Sequence, residues 1–144
     1  MLGGLSVGAF TVAPLPPVVF RLACAALCTA YVASGVTKLL DFDAALGEAV
    51  HFGLQPPALF AIGVILTQLV GSALTVFASG RWQALGAAAL AGFTIVATLI
   101  GHPFWTMEGM DRFHNRNSFL EHIGLVGGFL LVGALAWPRR GAAA

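Results

Sequence analysis

Most of the polar side chains that could take part in chemistry lie in one short segment of this sequence, between His102 and His122. The segment holds three of the four histidines, three of the six acidic residues and two of the seven basic residues. Long apolar runs flank it on both sides, so we expect a polar cap that joins two membrane helices, with Glu121 and His122 just inside the second. The sequence therefore directs the search for function to one membrane surface.

The side chains of this segment include types that bind metal ions, but their spacing does not match that of a metal site. His102, His114, Glu121 and His122 match no known ligand motif, and neighbouring side chains on a helix point about 100° apart. We therefore predict no metal site. The sequence also lacks a Gly-rich phosphate loop, a nucleophile elbow and a Cys-x-x-Cys pair.

The amino-acid composition indicates whether the protein folds in water or in a lipid bilayer. The 144 residues are 58% hydrophobic and 9% charged, with a mean hydropathy of +0.90. A soluble domain of this size cannot bury so much apolar surface, whereas a lipid bilayer can surround it. The net charge of +1 gives no basic surface for nucleic acid, so we predict the bilayer as a partner and no nucleic acid.

Four apolar runs are long enough to cross a bilayer, which needs about 20 residues per helix. The predicted fold is all-α, a four-helix transmembrane bundle with a short amphipathic interfacial helix between spans 1 and 2. The predicted spans are about 18–40, 57–78, 82–101 and 118–137. They form one domain, 18–137, between a loose N-terminal arm at 1–17 and a C-terminal tail at 138–144. A cleaved signal peptide is the alternative for the first run, but no basic segment precedes it.

Polar groups within the spans should face the bundle interior, because an unpaired polar group in hydrocarbon costs several kcal/mol. On the first span every unusual side chain falls on one helical face. This stripe comprises Arg21, Cys24, Cys28, Tyr31, Gly35 and Lys38. The two cysteines are interpreted either as packing residues or as a reactive thiol near a ligand. On the fourth span the predicted interior stripe is Asn117, Glu121, Gly124 and Gly128, and the span's glycines should allow close helix contact.

These faces predict a site at the far side of the membrane, meaning the side where the first span ends and the fourth begins. The natural ligand is a quinone head group, because a flat ring with carbonyl groups fits aromatic walls and a few hydrogen-bond donors. Trp105, Phe104 and Tyr31 could supply the aromatic walls of this site. The candidate ligand-binding residues are Lys38, Gln68, Thr98, His102, Trp105 and Glu121. The structural alternative is that Lys38 forms an ion pair with Glu121 and the other residues only pack, and we expect that ion pair in either case.

Four spans place both termini on one side of the membrane. Four basic residues, Arg21, Arg81, Arg139 and Arg140, fall on the terminal side, against Lys38, Arg112 and Arg116 on the far side. The positive-inside rule therefore predicts cytoplasmic termini and a site at the non-cytoplasmic face.

Several short motifs resemble the DoxX family of small four-helix membrane proteins over roughly residues 18–137. They are Arg21-Leu22, Ser34-Gly35-Val36-Thr37-Lys38-Leu39, Gln68-Leu69-Val70-Gly71, His102-Pro103-Phe104-Trp105 and Gly127-Gly128. By position, the resemblance assigns the family's basic residue to Lys38 and its His-x-Phe-Trp residues to His102, Phe104 and Trp105. The family usually has a glutamate where this chain has Gln68, which removes a potential charge inside the membrane.

The resemblance implies a multi-pass protein of the inner (plasma) membrane of a prokaryote. It also implies a membrane subunit of a quinone-linked oxidoreductase or respiratory system, since the family includes a thiosulfate to quinone oxidoreductase. Quinone is then the expected cofactor, with none bound covalently, and other membrane or peripheral subunits are the expected partners. The alternative is a non-catalytic scaffold that docks into a larger membrane complex through its Gly-rich fourth span.

Overall fold

The computed structural model describes residues 6–7, 10–11 and 15–138. Its fold is the predicted all-α bundle, with four helices long and apolar enough to cross a membrane and one short helix between the first two. The helices are α1 (Pro17–Leu40), α2 (Phe42–His51), α3 (Pro57–Phe77), α4 (Gly80–Gly101) and α5 (Gly109–Ala136), with a 3₁₀ turn at Phe104–Thr106. Ser6–Val7 pairs antiparallel with Phe10–Thr11. The rest of the predicted arm up to residue 14, and residues 139–144 of the predicted tail, lie outside the described residues.

Proline and glycine set the helix boundaries. Pro17 and Pro57 occupy the first turns of α1 and α3, where a missing N–H removes no helical hydrogen bond. Gly80 and Gly109 begin α4 and α5 with φ values of +57° and +59°. Glycine adopts this left-handed conformation without a steric penalty, so both residues allow the chain to turn sharply between helices.

The fourth membrane helix is longer than predicted, because α5 begins at Gly109 and not near residue 118. Its 28 residues rise about 42 Å, which exceeds a hydrocarbon core of about 30 Å. The first turns of α5 can therefore extend beyond the hydrocarbon, where charged side chains remain solvated. Part of the predicted polar cap is thus helical, including Asp111, Arg112, His114 and Arg116.

The predicted interior stripe of α1 is confirmed along the middle of the helix. Cys24, Cys28, Tyr31 and Gly35 are its buried residues. The Tyr31 ring packs edge-on against Phe93 of α4 and Phe129 of α5, with centroid distances of 6.3 and 5.3 Å. These contacts join three of the four membrane helices at the level of Tyr31.

The closest backbone approach lies between α3 and α4, whereas the predicted close contact of the fourth span occurs at Gly128, where an added Cβ would lie 3.0 Å from Leu27 of α1. A Cβ added at Gly86 would lie 2.8 Å from the Gly71 carbonyl oxygen and 2.9 Å from the Thr75 backbone nitrogen. On α5, a Cβ at Gly124 or Gly127 would meet nothing within 4 Å. Glycine at position 86 therefore lets two backbones touch, as is common between membrane helices.

Side chains bind backbone carbonyls at the terminal end of the bundle. Arg21 of α1 donates hydrogen bonds of 3.3 Å to the carbonyls of Val76 and Phe77, where α3 ends. A cation is favourable at a helix C-terminus, because the last carbonyls lack helical partners. Buried Gln83 of α4 donates a 2.8 Å hydrogen bond to the Thr75 carbonyl of α3. These bonds fix α3 against both of its neighbours.

Replacing Gly86 by alanine should destabilise the protein strongly. The added methyl group must displace backbone atoms, so we expect the free energy of unfolding in detergent to fall by about 1–3 kcal/mol. Gly92 of the same helix is the matched control, because it is exposed and a Cβ there meets nothing within 4 Å. Thermal unfolding of the two variants checks this. Equal melting temperatures for Gly86→Ala and Gly92→Ala would contradict the proposed α3–α4 contact.

Candidate functional site: an intramembrane cavity with a polar end

A cavity of about 790 Å³ lies toward the far-side end of the bundle. Residues of all four membrane helices line it, together with Glu48 of α2 and the segment that follows α2. Its walls are mostly apolar and include the aromatic rings of Tyr31, Phe52, Phe60 and Phe93. The charged, amide and imidazole side chains of the lining are Lys38, Glu48, Gln68, His102 and His122.

Lys38 is held at the cavity by two polar contacts. Its ammonium Nζ lies 2.9 Å from Oε2 of Glu48 and donates a 3.1 Å hydrogen bond to Ser34 Oγ, one turn earlier on α1. Helix α2 supplies Glu48, and the Asp41 side chain caps the start of α2 by accepting a 3.0 Å hydrogen bond from the backbone N–H of Ala44. The Lys38 side chain is 17% exposed, so its charge is largely withdrawn from solvent and lipid.

The prediction of a Lys38–Glu121 ion pair is wrong. Lys38 pairs with Glu48, and Glu121 is an exposed residue of α5. The next residue, His122, turns toward the bundle instead and lines the cavity. Adjacent side chains on a helix differ by about 100°, so an error of one residue in the rotation of α5 exchanges the two.

Gln68 is buried at the middle of α3 and reaches toward α1. Its amide Nε2 donates a 3.2 Å hydrogen bond to Ser34 Oγ, which also accepts from Lys38. Its carbonyl oxygen Oε1 is buried and has no hydrogen-bond partner among the described residues. A buried acceptor without a donor is costly, so this oxygen is an unsatisfied polar atom of a residue that lines the cavity.

The two histidines stand side by side at the same end of the bundle, with ring centroids 5.0 Å apart. Nδ1 of His122 lies 2.7 Å from Thr98 Oγ1 on α4. Nδ1 of His102 lies 2.8 Å from Asn115 Oδ1, near the start of α5. Each ring is therefore oriented through Nδ1, and Nε2 of neither ring forms a hydrogen bond within the described residues.

The structure brings together three of the six predicted ligand-binding residues, since Lys38, Gln68 and His102 line the cavity. Thr98 instead lines a smaller apolar cleft of about 180 Å³ between α4 and α5, and reaches the site only through His122. Trp105 is 53% exposed and packs on Phe104 and Phe119 outside the cavity.

Two polar groups of the site were not predicted, namely Ser34 and Glu48. The sequence does carry a signal for Ser34, because it lies four residues before Lys38 on the same face of α1. It carries none for Glu48, since only the packing of α2 on the bundle decides which acid meets Lys38. His122 was expected to face the bundle interior, as a polar residue of the fourth span, but was not among the predicted ligand-binding residues. Within the described residues no group of three or more His, Cys, Asp or Glu side chains could hold a metal ion.

The comparison with protein families agrees with this architecture. The DoxX family model matches residues 17–103, which is more than half of the chain. The chain belongs to the DoxX family. The matched region of this DoxX protein contains Lys38, Gln68 and His102, whereas His122 lies beyond it.

One curated relative is the inner membrane protein YphA of Escherichia coli (strain K12). It is 26% identical over 129 residues, which cover 86% of this chain and 91% of the relative. No solved structure matches the chain. The four apolar helices and this inner-membrane relative together support a multi-pass inner-membrane protein of the DoxX family.

A double-mutant cycle should show that Lys38 couples to Glu48 and not to Glu121. We expect Lys38→Met and Glu48→Gln to be non-additive by about 0.2–1 kcal/mol, because the pair is only partly shielded from solvent. Lys38→Met combined with Glu121→Gln should be additive. Thermal unfolding of the single and double variants in detergent provides the measurement, and coupling to Glu121 alone would contradict the observed ion pair.

Proposed function

We propose that this DoxX protein is the integral membrane subunit of a quinone-linked oxidoreductase and that it holds a quinone ring in the cavity. The observation that carries the proposal is a mostly apolar cavity that is lined by Lys38 and by Gln68, whose carbonyl oxygen is buried without a hydrogen-bond partner among the described residues. Ligand sites have this character, since apolar walls supply affinity and a few polar groups fix orientation.

The size and openings of the cavity suit a quinone. Its volume of about 790 Å³ falls within the range of about 300–1,000 Å³ found for small-molecule sites. Leu59, Phe60 and Gly63 of α3 and Val96 and Ile100 of α4 line the cavity and are also exposed on the outside of the bundle. An isoprenoid tail could therefore leave between helices into the lipid while the ring stays inside.

Lys38 is the residue best placed to bind a ring oxygen. An ammonium group has three N–H donors, and two are directed to Glu48 and Ser34. The third can donate to a carbonyl oxygen of the ring. A bound quinone would supply two-electron acceptance, while the protein's own residues orient the ring and exclude water.

The electrons would come from a partner subunit at the far-side surface. The first turns of α5 carry Asp111, Arg112, His114 and Arg116, which are all exposed. These turns can extend beyond the hydrocarbon and offer a polar surface for a membrane or peripheral protein. With the termini in the cytoplasm, as the distribution of basic residues favours, the partner would dock at the non-cytoplasmic face of the inner membrane.

A non-catalytic scaffold is the second candidate function, and one observation favours it. Gly124 and Gly127 of α5 are exposed, and no described atom lies within 4 Å of a Cβ built at either position. Glycines on a lipid-facing surface allow another helix to approach closely, as expected for an accessory subunit of a larger membrane complex.

Quinone content of the purified protein tests the first proposal. We expect about one quinone per chain after mild detergent extraction, measured by solvent extraction and chromatography. Gly63→Phe should block the cavity, and Lys38→Met should lower the quinone content about tenfold through loss of a charged hydrogen bond. Gly92→Phe is the matched control, because Gly92 is an equally open glycine outside the cavity lining.

The two candidate functions predict different outcomes of this experiment. Quinone that is retained by the wild type and by Gly92→Phe, but lost from Gly63→Phe, supports the oxidoreductase subunit. A chain that copurifies only with a large complex and contains no quinone at any stoichiometry supports the scaffold.

A further inference from the structure

The hydrogen bonds around His122 determine which of its nitrogens carries a proton. Thr98 has one hydroxyl proton and donates it to the Thr94 carbonyl at 2.5 Å. Its oxygen must therefore accept the 2.7 Å hydrogen bond from His122, so Nδ1 of His122 is the donor. In the neutral ring Nε2 is then an acceptor with a free lone pair.

The hydrogen bonds around His102 likewise determine which of its nitrogens carries a proton. The Asn115 amide donates through Nδ2 to the Asp111 carbonyl at 3.0 Å, which turns its oxygen Oδ1 toward the imidazole. An amide oxygen only accepts, so Nδ1 of His102 donates across the 2.8 Å contact. Neighbouring elements thus orient both histidines with Nε2 as the remaining acceptor.

Gln68 adds a third acceptor and the most deeply buried one. Gln68 is 5% exposed and its Nε2 is directed to Ser34, so the buried and unpartnered Oε1 is its remaining acceptor. The Tyr31 hydroxyl group is not available to donate a hydrogen bond to a ligand. Thr94 gives its own proton to the Leu90 carbonyl at 2.6 Å, so the Tyr31 hydroxyl donates to Thr94 Oγ1 at 2.5 Å.

Hydrogen-bond acceptors of the site can distinguish the two redox forms of a quinone, whereas its donors cannot. Lys38 can donate to a carbonyl oxygen or to a hydroxyl oxygen, so it does not discriminate between them. Acceptors do discriminate, because a hydroxyl group can satisfy Gln68 Oε1 or a histidine Nε2, whereas a carbonyl oxygen would face another lone pair.

We infer that the polar end of the cavity, formed by Lys38, Gln68, His102 and His122, binds the dihydroxy form of the ring, the quinol, in preference to the dicarbonyl quinone. This inference rests on the proposed quinone function and names the redox form that the site favours. The preference arises from orientation, since Thr98 and Asn115 fix the two imidazoles and Ser34 fixes the amide.

The affinities of the protein for the two redox forms of a quinone measure this preference. The full-length protein in lipid nanodiscs would be loaded with decylubiquinone, and the affinities of decylubiquinone and decylubiquinol would be compared by equilibrium dialysis under anaerobic conditions. One additional satisfied hydrogen bond corresponds to about a tenfold tighter affinity for the quinol. A tenfold preference raises the midpoint potential of the bound two-electron couple by about 30 mV.

Variants connect the preference to the named acceptors. Gln68→Leu and His122→Phe should each lose most of the quinol preference while still binding the quinone, and that retained binding shows that the cavity is intact. Gln68→Glu keeps an acceptor oxygen and should keep the preference. Thr29→Val is the control, because Thr29 is an exposed residue of α1 outside the cavity lining.

The outcomes separate this inference from the proposed function. Tighter quinol binding that is lost in Gln68→Leu supports both. Equal affinity for the two forms, or tighter quinone binding, overturns the preference and leaves the quinone site standing. If neither form binds the wild-type protein, the proposed function fails and the inference fails with it.

Discussion

Hydrocarbon offers no hydrogen-bond partner, and the buried threonine hydroxyl groups of the bundle find their partners within the protein. Thr75, Thr94 and Thr98 donate to backbone carbonyls one turn earlier on their own helices. Two of these hydroxyl groups then accept hydrogen bonds from other helices, because Tyr31 binds Thr94 and His122 binds Thr98. Among the described residues, Gln68 Oε1 and Ser72 Oγ are the buried side-chain atoms without a hydrogen-bond partner, and of these two residues Gln68 lines the cavity.

The close contact of α3 with its neighbours holds Gln68 in position. Gly71 and Gly86 bring α3 and α4 together one turn beyond Gln68. On the opposite side, a Cβ at Gly35 would lie 2.8 Å from Leu69 and 3.3 Å from the Gln68 side chain. Glycines on α1 and α4 thus allow α3 to approach from both sides. We expect the geometry of the polar site to depend on this packing, although none of the glycines lines the cavity.

Periodicity in the sequence predicted the fold and the side of each helix that carries a strong pattern. The three-and-four spacing of α1 placed Cys24, Cys28 and Tyr31 in the interior, and Lys38 at the end of the same face. The pattern of α5 was less informative, because glycines occur on several of its faces. Its rotation was therefore misjudged, which exchanged Glu121 for His122. The partner of Lys38 could not be predicted either, because periodicity identifies the apolar face of α2 but not which residue of the bundle Glu48 will meet.

Photoaffinity labelling tests directly whether a quinone ring occupies the cavity. A photoreactive quinone would be activated in nanodiscs that contain the full-length protein, and the labelled residues would be identified by mass spectrometry. A quinone ring in the cavity should give labels near Ser34 and Lys38 of α1 and near Gln68 of α3, and excess unlabelled quinone or Gly63→Phe should remove them. Labels confined to lipid-facing residues such as Leu131, or labels that do not respond to competition, would contradict this binding site.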